Sequence, residues 1–421
     1  MRRPSILDTL PATTRASLTA DALSGLTVAM VAIPLSLAIA IASGADPATG
    51  LVTAIIGGFL ISAFGGSHFQ IGGPTGAFIV VVYGVIAAHG YDGLVIATFI
   101  AGLILLAAGI FRAGSLIAYI PEAVIDGFTM GIAVIIGTSQ LKDFFGLSLD
   151  KVPADFLEKL PALWEARETI NPEAVLVALV TMVLIVLFRR AAPRLPGLIV
   201  AVAFVSLAVA VTPLDTDTIG SRFGDLPKTL PMPSFPDLSL ARIEELIPSA
   251  LVIAFLAGVE SLLSAMVADR MTTARHRPNA ELIAQGVANF GSSLFGGLPA
   301  TGAIARTATN IRAGGQTPLA GIIHALIILI VMWVAAPLAG YLAMPALAGL
   351  LILTAWNMAE PHKWRSHLGK PRADLFVLLV TFGLTVLADL TVAIGVGVSL
   401  GLAIRMHRRK IPPADWTPRD Q

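Results

Sequence analysis

Arg306 stands in otherwise apolar sequence, Ala303-Ile304-Ala305-Arg306-Thr307-Ala308, just past a glycine- and proline-containing interruption. A guanidinium in such surroundings is expensive and needs a partner. The partner is either a bound anion, held by charge-assisted hydrogen bonds, or an acid of the protein. One acid is placed for the second role. Glu260 lies near the middle of the apolar run Ile253–Ser264, with Ser264 four residues on and therefore on the same helix face. A carboxylate at that depth could carry a coupling proton, complete a sodium site with Ser264, or neutralise Arg306.

The interruption before Arg306 has a counterpart. Gly72-Gly73-Pro74-Thr75-Gly76-Ala77-Phe78 and Gly296-Gly297-Leu298-Pro299-Ala300-Thr301-Gly302-Ala303-Ile304 read as copies in different halves of the chain, each followed at once by residues able to start a helix. Paired Gly/Pro breaks at matching places in two halves point to a transport site built from broken helices. The first N–H groups of a helix are unpaired, and the dipole places about half a positive charge there. Two such starts facing one another cradle an anion with backbone amides alone. The candidate binding residues are therefore Thr75, Gly76, Ala77 and Phe78 on one side and Ala303, Ile304, Ala305 and Arg306 on the other. The plainer alternative is that the glycines only allow close helix packing. In the first half, the helix through Pro34 has no charge and offers apolar wall, Leu35 and Ile39, with Ser36 and Ser43 its polar residues.

These residues need elements to hold them. Apolar residues make up 56% of the 421 positions and charged ones 13%, the balance of a polytopic membrane protein rather than a soluble domain. About fourteen apolar runs occur, near 22–42, 50–64, 76–89, 92–111, 122–141, 173–189, 197–212, 246–268, 280–295, 303–312, 318–336, 338–356, 374–388 and 391–404. Several are too short to span alone. Lysine and arginine alternate with this count. Arg2, Arg3 and Arg15, then Arg112, Arg189, Arg190, Arg194, Arg270, Arg275, Arg277, Lys363, Arg365, Lys370, Arg372 and the run Arg405, Arg408, Arg409, Lys410 fall in loops on one side, placing both termini in the cytoplasm. The long loops 142–172 and 213–245 on the other side are rich in acids, among them Asp143, Asp150 and Asp217. Seven runs on each side of the second loop force the second half into the membrane inverted relative to the first.

Other chemistry is excluded. There is no cysteine, hence no disulfide or thiolate site. His68, His324 and His362 lack metal-ligand spacing, no nucleophile–base motif is present, and no cofactor is expected. A net charge of +1 gives no reason to invoke nucleic acid. Asp126 reads as a structural partner near a helix start.

The stretch Asn279-Ala280-Glu281-Leu282-Ile283-Ala284-Gln285-Gly286-Val287-Ala288-Asn289-Phe290, followed by Phe295-Gly296-Gly297, Pro299, Thr301-Gly302 and Arg306-Thr307, resembles the signature of the sulfate permease family, solute carrier family 26 in animals. Asp21, Gly25-Leu26-Thr27-Val28, Ile33-Pro34, Gly72-Gly73-Pro74, Pro121, Gly127-Phe128-Thr129 and Gln140-Leu141-Lys142 fit the same pattern, so the resemblance covers nearly the whole chain.

It implies an all-α fold of fourteen segments in a 7+7 inverted repeat, segments 3 and 10 being broken. After a cytoplasmic lead-in (1–20), a core domain would comprise 21–111 and 246–336 and a gate domain 112–245 and 337–404. A basic tail (405–421) would stand where the family's cytoplasmic STAS domain follows. An anion (sulfate, bicarbonate or a dicarboxylate) would bind between segments 3 and 10 and move by an elevator-like shift of the core. The coupling ion would be a proton or sodium, and the protein a homodimer in the bacterial inner membrane. A sodium-coupled bicarbonate branch has aspartate and threonine where this chain has Glu260 and Ser264, and the glutamate favours protons. Leu35 replaces a glutamine common among relatives, which removes a side-chain ligand. A nucleobase permease shares the 7+7 fold but usually places a second acid where Arg306 stands. A channel or voltage-responsive protein is a further alternative.

Overall fold

The computed structural model describes residues 3–114, 121–149, 152–153, 155–192, 196–364, 369, 371–388 and 390–407. Arg2, Arg194, Arg365, Lys370, Arg408, Arg409 and Lys410, the acid Asp150 and the tail from 408 onward lie outside them.

The principal helices are α1 (Arg15–Ala42), α2 (Pro47–Phe64), α3 (Ile79–Ile110), α4 (Glu122–Ser139), α5 (Pro172–Ala191), α6 (Gly197–Val211), α7 (Leu240–Met271), α8 (Pro278–Leu294), α9 (Ile304–Arg312), α10 (Leu319–Ala339), α11 (Met344–Met358), α12 (Arg372–Leu387) and α13 (Leu390–His407). Each of the fourteen apolar runs falls largely on helix, and the third and fourth share α3, which bends at Gly90 (φ 73°, ψ 178°). A positive φ of that kind is one glycine adopts without strain. Seven helical stretches among the described residues are long and apolar enough to cross a membrane. Among the others, α9 has 9 residues and α6 and α11 have 15 each.

Local sequence sets the helix starts. Thr14 and Ser17 form a reciprocal capping box, so α1 begins at Arg15, inside the stretch read as a lead-in. Asp46 and Asn171 cap α2 and α5, each with proline at the first position.

The helices pack in two sets. In one, α8 and α7 lie along α3, α8 also along α2, and α10 along α1 and α2. In the other, α4 packs on α12 and α11, α11 on α5, α5 on α6, and α12 on α13. Two strands, β1 (Gly72–Gly73) and β2 (Thr301–Gly302), pair antiparallel, Gly72 opposite Gly302 and Gly73 opposite Thr301. The two-fold that maps this ladder onto itself makes Gly73 the equivalent of Gly302. Pro74 and Pro299 are therefore not equivalent, although each motif has one proline. The backbone sets the register, and Pro299 belongs to the loop that leads into β2.

Candidate functional site

The ladder brings two helix starts together. Past β1, Thr75 is the extended residue before a 3-10 turn, Gly76–Phe78, that runs into α3. Past β2, Ala303 is the extended residue before α9, and its N–H donates to the Ile71 carbonyl at 2.8 Å. The eight residues expected at the starts are thus gathered in one place, with unequal exposure. Thr75, Gly76, Ala77, Phe78 and Ala303 are buried, whereas Ile304 and Ala305 are exposed. A β-carbon on Gly76 would stand 3.2 Å from Met358 Sδ and 3.5 Å from Ile136, so α11 and α4 press directly on this start. Ile39 is buried and Leu35 half-buried on α1.

Arg306 is 1% exposed. Its Nη2 donates to Ser36 Oγ and to the Pro74 carbonyl, each at 3.1 Å, while Nε and Nη1 have no partner among the described residues. Nη1 lies against Gly73, where a β-carbon would stand only 2.4 Å away. The guanidinium therefore sits under the turn of the first interruption, and Ser36, which sequence reasoning listed without a task, is one of its two acceptors. No ion pair within 4.0 Å joins it to Glu260 or to any other acid among the described residues. Glu260 and Arg306 thus make no direct ion pair among the described residues.

Glu260 reaches elsewhere. Its Oε2 accepts from Thr75 Oγ1 at 2.9 Å, linking α7 to the first helix start, and the residue is half-buried. Ser264 is buried and donates to Thr307 Oγ1 at 3.0 Å. The same oxygen accepts the Ile71 N–H at 3.1 Å, so Ser264 braces α9 and β1.

A second carboxylate escaped the sequence reading. Glu281 has no exposure, and its oxygens accept from Gln70 Nε2 (2.8 Å), Gln285 Nε2 (2.9 Å), Ser261 Oγ (3.1 Å) and the Gly66 and Ser67 N–H groups (3.0 and 3.3 Å). Five donors on one buried carboxylate offset its desolvation. They tie α8 to α7 and to the segment leading into β1. Two turns further along α8, Asn289 accepts the Ala300 N–H and donates to the Ala300 carbonyl, fixing the approach to β2. Asn310 of α9 donates to the Phe69 carbonyl and accepts from Ser24. Asp21 of α1 accepts from Gln316, Thr317 and the Thr317 hydroxyl ahead of α10. The spacing of Glu281, Gln285 and Asn289, four residues each, was a readable signal, since it puts three polar groups on one helix face.

A helical frame with two helix starts joined by a strand ladder, and a buried cation without an ion pair among the described residues, is the architecture of an ion-binding transporter. Comparison with known proteins agrees. The sequence model described as the sulfate permease family matches residues 18–381. A putative sulfate transporter of Bacillus subtilis, YvdB, is 43% identical over 390 residues, spanning 92% of this chain and 73% of the relative. The bicarbonate transporter BicA of Picosynechococcus is 33% identical over 407 residues, 92% of this chain and 70% of the relative. The solved transmembrane domain of a cyanobacterial BicA superposes with TM-score 0.81 at 31% identity, covering 92% of this chain and 98% of that one. The overall structure of SLC26A9 superposes with TM-score 0.87 at 18% identity, over 97% of this chain and 68% of that one, which shows the shared fold. The chain belongs to the sulfate permease family. It is an integral membrane protein of a transporter family, not an enzyme.

Proposed function

We propose that the chain is a secondary active transporter of a small anion, of the sulfate, bicarbonate or dicarboxylate class, working as a proton symporter. The observation that carries this is the Arg306 guanidinium: it is buried beside two helix starts with no acid within 4.0 Å among the described residues. Its charge adds to two helix dipoles, and an anion at the start of α9, where Ile304 and Ala305 are exposed residues, with Thr75 to Phe78 across the ladder, is the ligand that balances them. Leu35 and Ile39 complete the wall. The names of the relatives, a putative sulfate transporter and a bicarbonate transporter, support the substrate class.

Glu260 supplies the coupling. A negative Glu260 offsets the positive field of Arg306 and the helix starts through space, whereas a neutral one leaves that field to the anion. Proton and anion then favour each other's binding, the linkage symport requires. Sodium held by Glu260 and Ser264 is the second reading, motivated by the resemblance to a sodium-coupled bicarbonate branch; the Ser264 hydroxyl donates its proton to Thr307 and keeps its lone pairs for a cation, and the glutamate in place of aspartate ranks this reading second.

The fourteen helical runs are read as fourteen crossings in a 7+7 inverted repeat, both termini in the cytoplasm, supported by the antiparallel ladder between the two halves. The packing sets support a core of segments 1–4 and 8–11 and a gate of 5–7 and 12–14. The elevator-like step would part Gly76 from Met358 and Ile136. A homodimer is expected from the resemblance.

The test is uptake into proteoliposomes of labelled sulfate, bicarbonate, chloride and a dicarboxylate, each with an imposed proton or sodium gradient. Concentrative uptake of one anion driven by a proton gradient is expected. Uptake that follows only the sodium gradient moves the assignment to the second reading, and absence of anion movement discards both.

A further inference from the structure

Behind the guanidinium lies a polar side chain with no task so far. His324, near the start of α10, has no exposure, and neither ring nitrogen has a hydrogen-bond partner among the described residues. A neutral imidazole has one donor and one acceptor, and both are costly to bury unpaired.

Its place is defined by glycines. The His324 ring carbon Cε1, bonded to both nitrogens, faces Gly58 of α2. A β-carbon on Gly58 would stand 3.8 Å from Cε1 and 3.0 Å from the Gly72 carbonyl oxygen. One turn earlier on the same face of α2 is Ala54, whose Cα lies 3.5 Å from where a β-carbon of Gly73 would be; Arg306 Nη1 lies 2.4 Å from that point. Imidazole and guanidinium thus approach consecutive residues of β1 beside Ala54 and Gly58, while Ile61 of the same helix packs on Gly72. On the guanidinium, Nε and Nη1 are the atoms without a partner. Two buried side chains with unmet hydrogen bonds among the described residues, beside neighbouring residues of one strand, are the polar surroundings that hold an ordered water.

We propose that an ordered water joins His324 to Arg306 Nη1 beside Gly72–Gly73, making His324 a positioning residue for the anion site. The water accepts from the guanidinium and donates to the unprotonated ring nitrogen. The guanidinium is then held from behind by this water and from the side by Ser36 and Pro74 before an anion arrives, so less order is lost on binding. The inference rests on the reading of Arg306 as the source of the anion site's charge.

The test uses the full chain in proteoliposomes, with sulfate and bicarbonate as probes, comparing wild type, His324→Gln and His324→Leu. His324→Leu should raise KM about tenfold, the loss of one hydrogen bond to a charged group, with Vmax and thermal stability near wild type. His324→Gln, which keeps a donor and an acceptor, should restore KM to within about threefold. An unchanged KM in His324→Leu overturns the proposal, as does an equal loss in both variants. A high-resolution map of the wild type decides independently, and remains decisive if His324→Leu does not fold. Density within hydrogen-bond distance of both side chains supports the water, and contact with carbon alone removes it. If the wild type moves neither anion, the functional reading fails while the map still judges the water.

Discussion

Thr75 and Glu260, 185 positions apart, are joined by a 2.9 Å hydrogen bond from the threonine hydroxyl to the carboxylate. One belongs to the helix start of the first half, the other to the long helix that opens the second. The group assigned to coupling is therefore fastened to the group assigned to binding. A change in the protonation of Glu260 alters what Thr75 donates to, at the mouth of the anion site.

Glu260→Gln removes the titratable group but retains an oxygen able to accept from Thr75. Anion exchange down its own gradient should continue, with pH dependence flattened and accumulation by a proton gradient lost. Counterflow and gradient-driven uptake from pH 5 to pH 8 distinguish the two, the span being ordinary assay range around neutral. A pH profile superposable on wild type would remove Glu260 as proton carrier.

Arg306→Ala deletes the cation and frees Ser36 Oγ and the Pro74 carbonyl. Anion affinity should fall by about 100-fold, equivalent to ~2.7 kcal/mol of a charged interaction, while the protein still folds because an unpaired buried charge has gone. Arg306→Lys should recover part of the affinity, since it restores the charge but not the guanidinium's planar set of five donors. Binding calorimetry with sulfate or bicarbonate reads both. Wild-type affinity in the alanine variant would falsify the role.

Gly73→Ala should inactivate transport through Arg306 rather than through the ligand. Its φ of 149° disfavours a side chain, and the new carbon would meet Nη1 at 2.4 Å. Gly84→Ala, with nothing within 4 Å of the added carbon, is the control. It should leave activity intact and stabilise by up to ~1 kcal/mol as a helix-interior glycine replaced. Equal activity in the two variants would show that the close approach is not needed.

Glu281→Gln places a donor amide among five donors. The variant should lose about 3–5 kcal/mol, the cost of breaking a buried charged network, seen as a lower thermal midpoint in detergent. An unchanged midpoint would mean that this network does not hold α8 to the segment ahead of β1.

Much of this arrangement was legible in the chain. The runs of apolar residues mark the helices because lipid-scale length and hydrophobicity are local properties, and the two Gly/Pro breaks mark the starts of α3 and α9. Glu260 and Arg306 stood out as charges in apolar surroundings. What escaped is relational. Nothing in the sequence says that Arg306 turns to Ser36 and Pro74 instead of Glu260, or that Ser264 donates to Thr307. Glu281, Asn289, Asn310 and Asp21 looked like ordinary polar residues because their partners are loop amides and carbonyls remote in sequence. The exact alignment of the two motifs was not legible either, because prolines tolerate several places in a turn, whereas the ladder register is fixed by backbone hydrogen bonds.

The ladder itself has four residues, two from each half. Either half alone would present its glycine strand as a bare edge deep in the fold, with neither water nor a neighbour to meet its amides. The two halves therefore mature together or not at all. Split between two polypeptides, each fragment should be short-lived when made alone, and the pair should recover transport only when both are present in one membrane as the strands first meet.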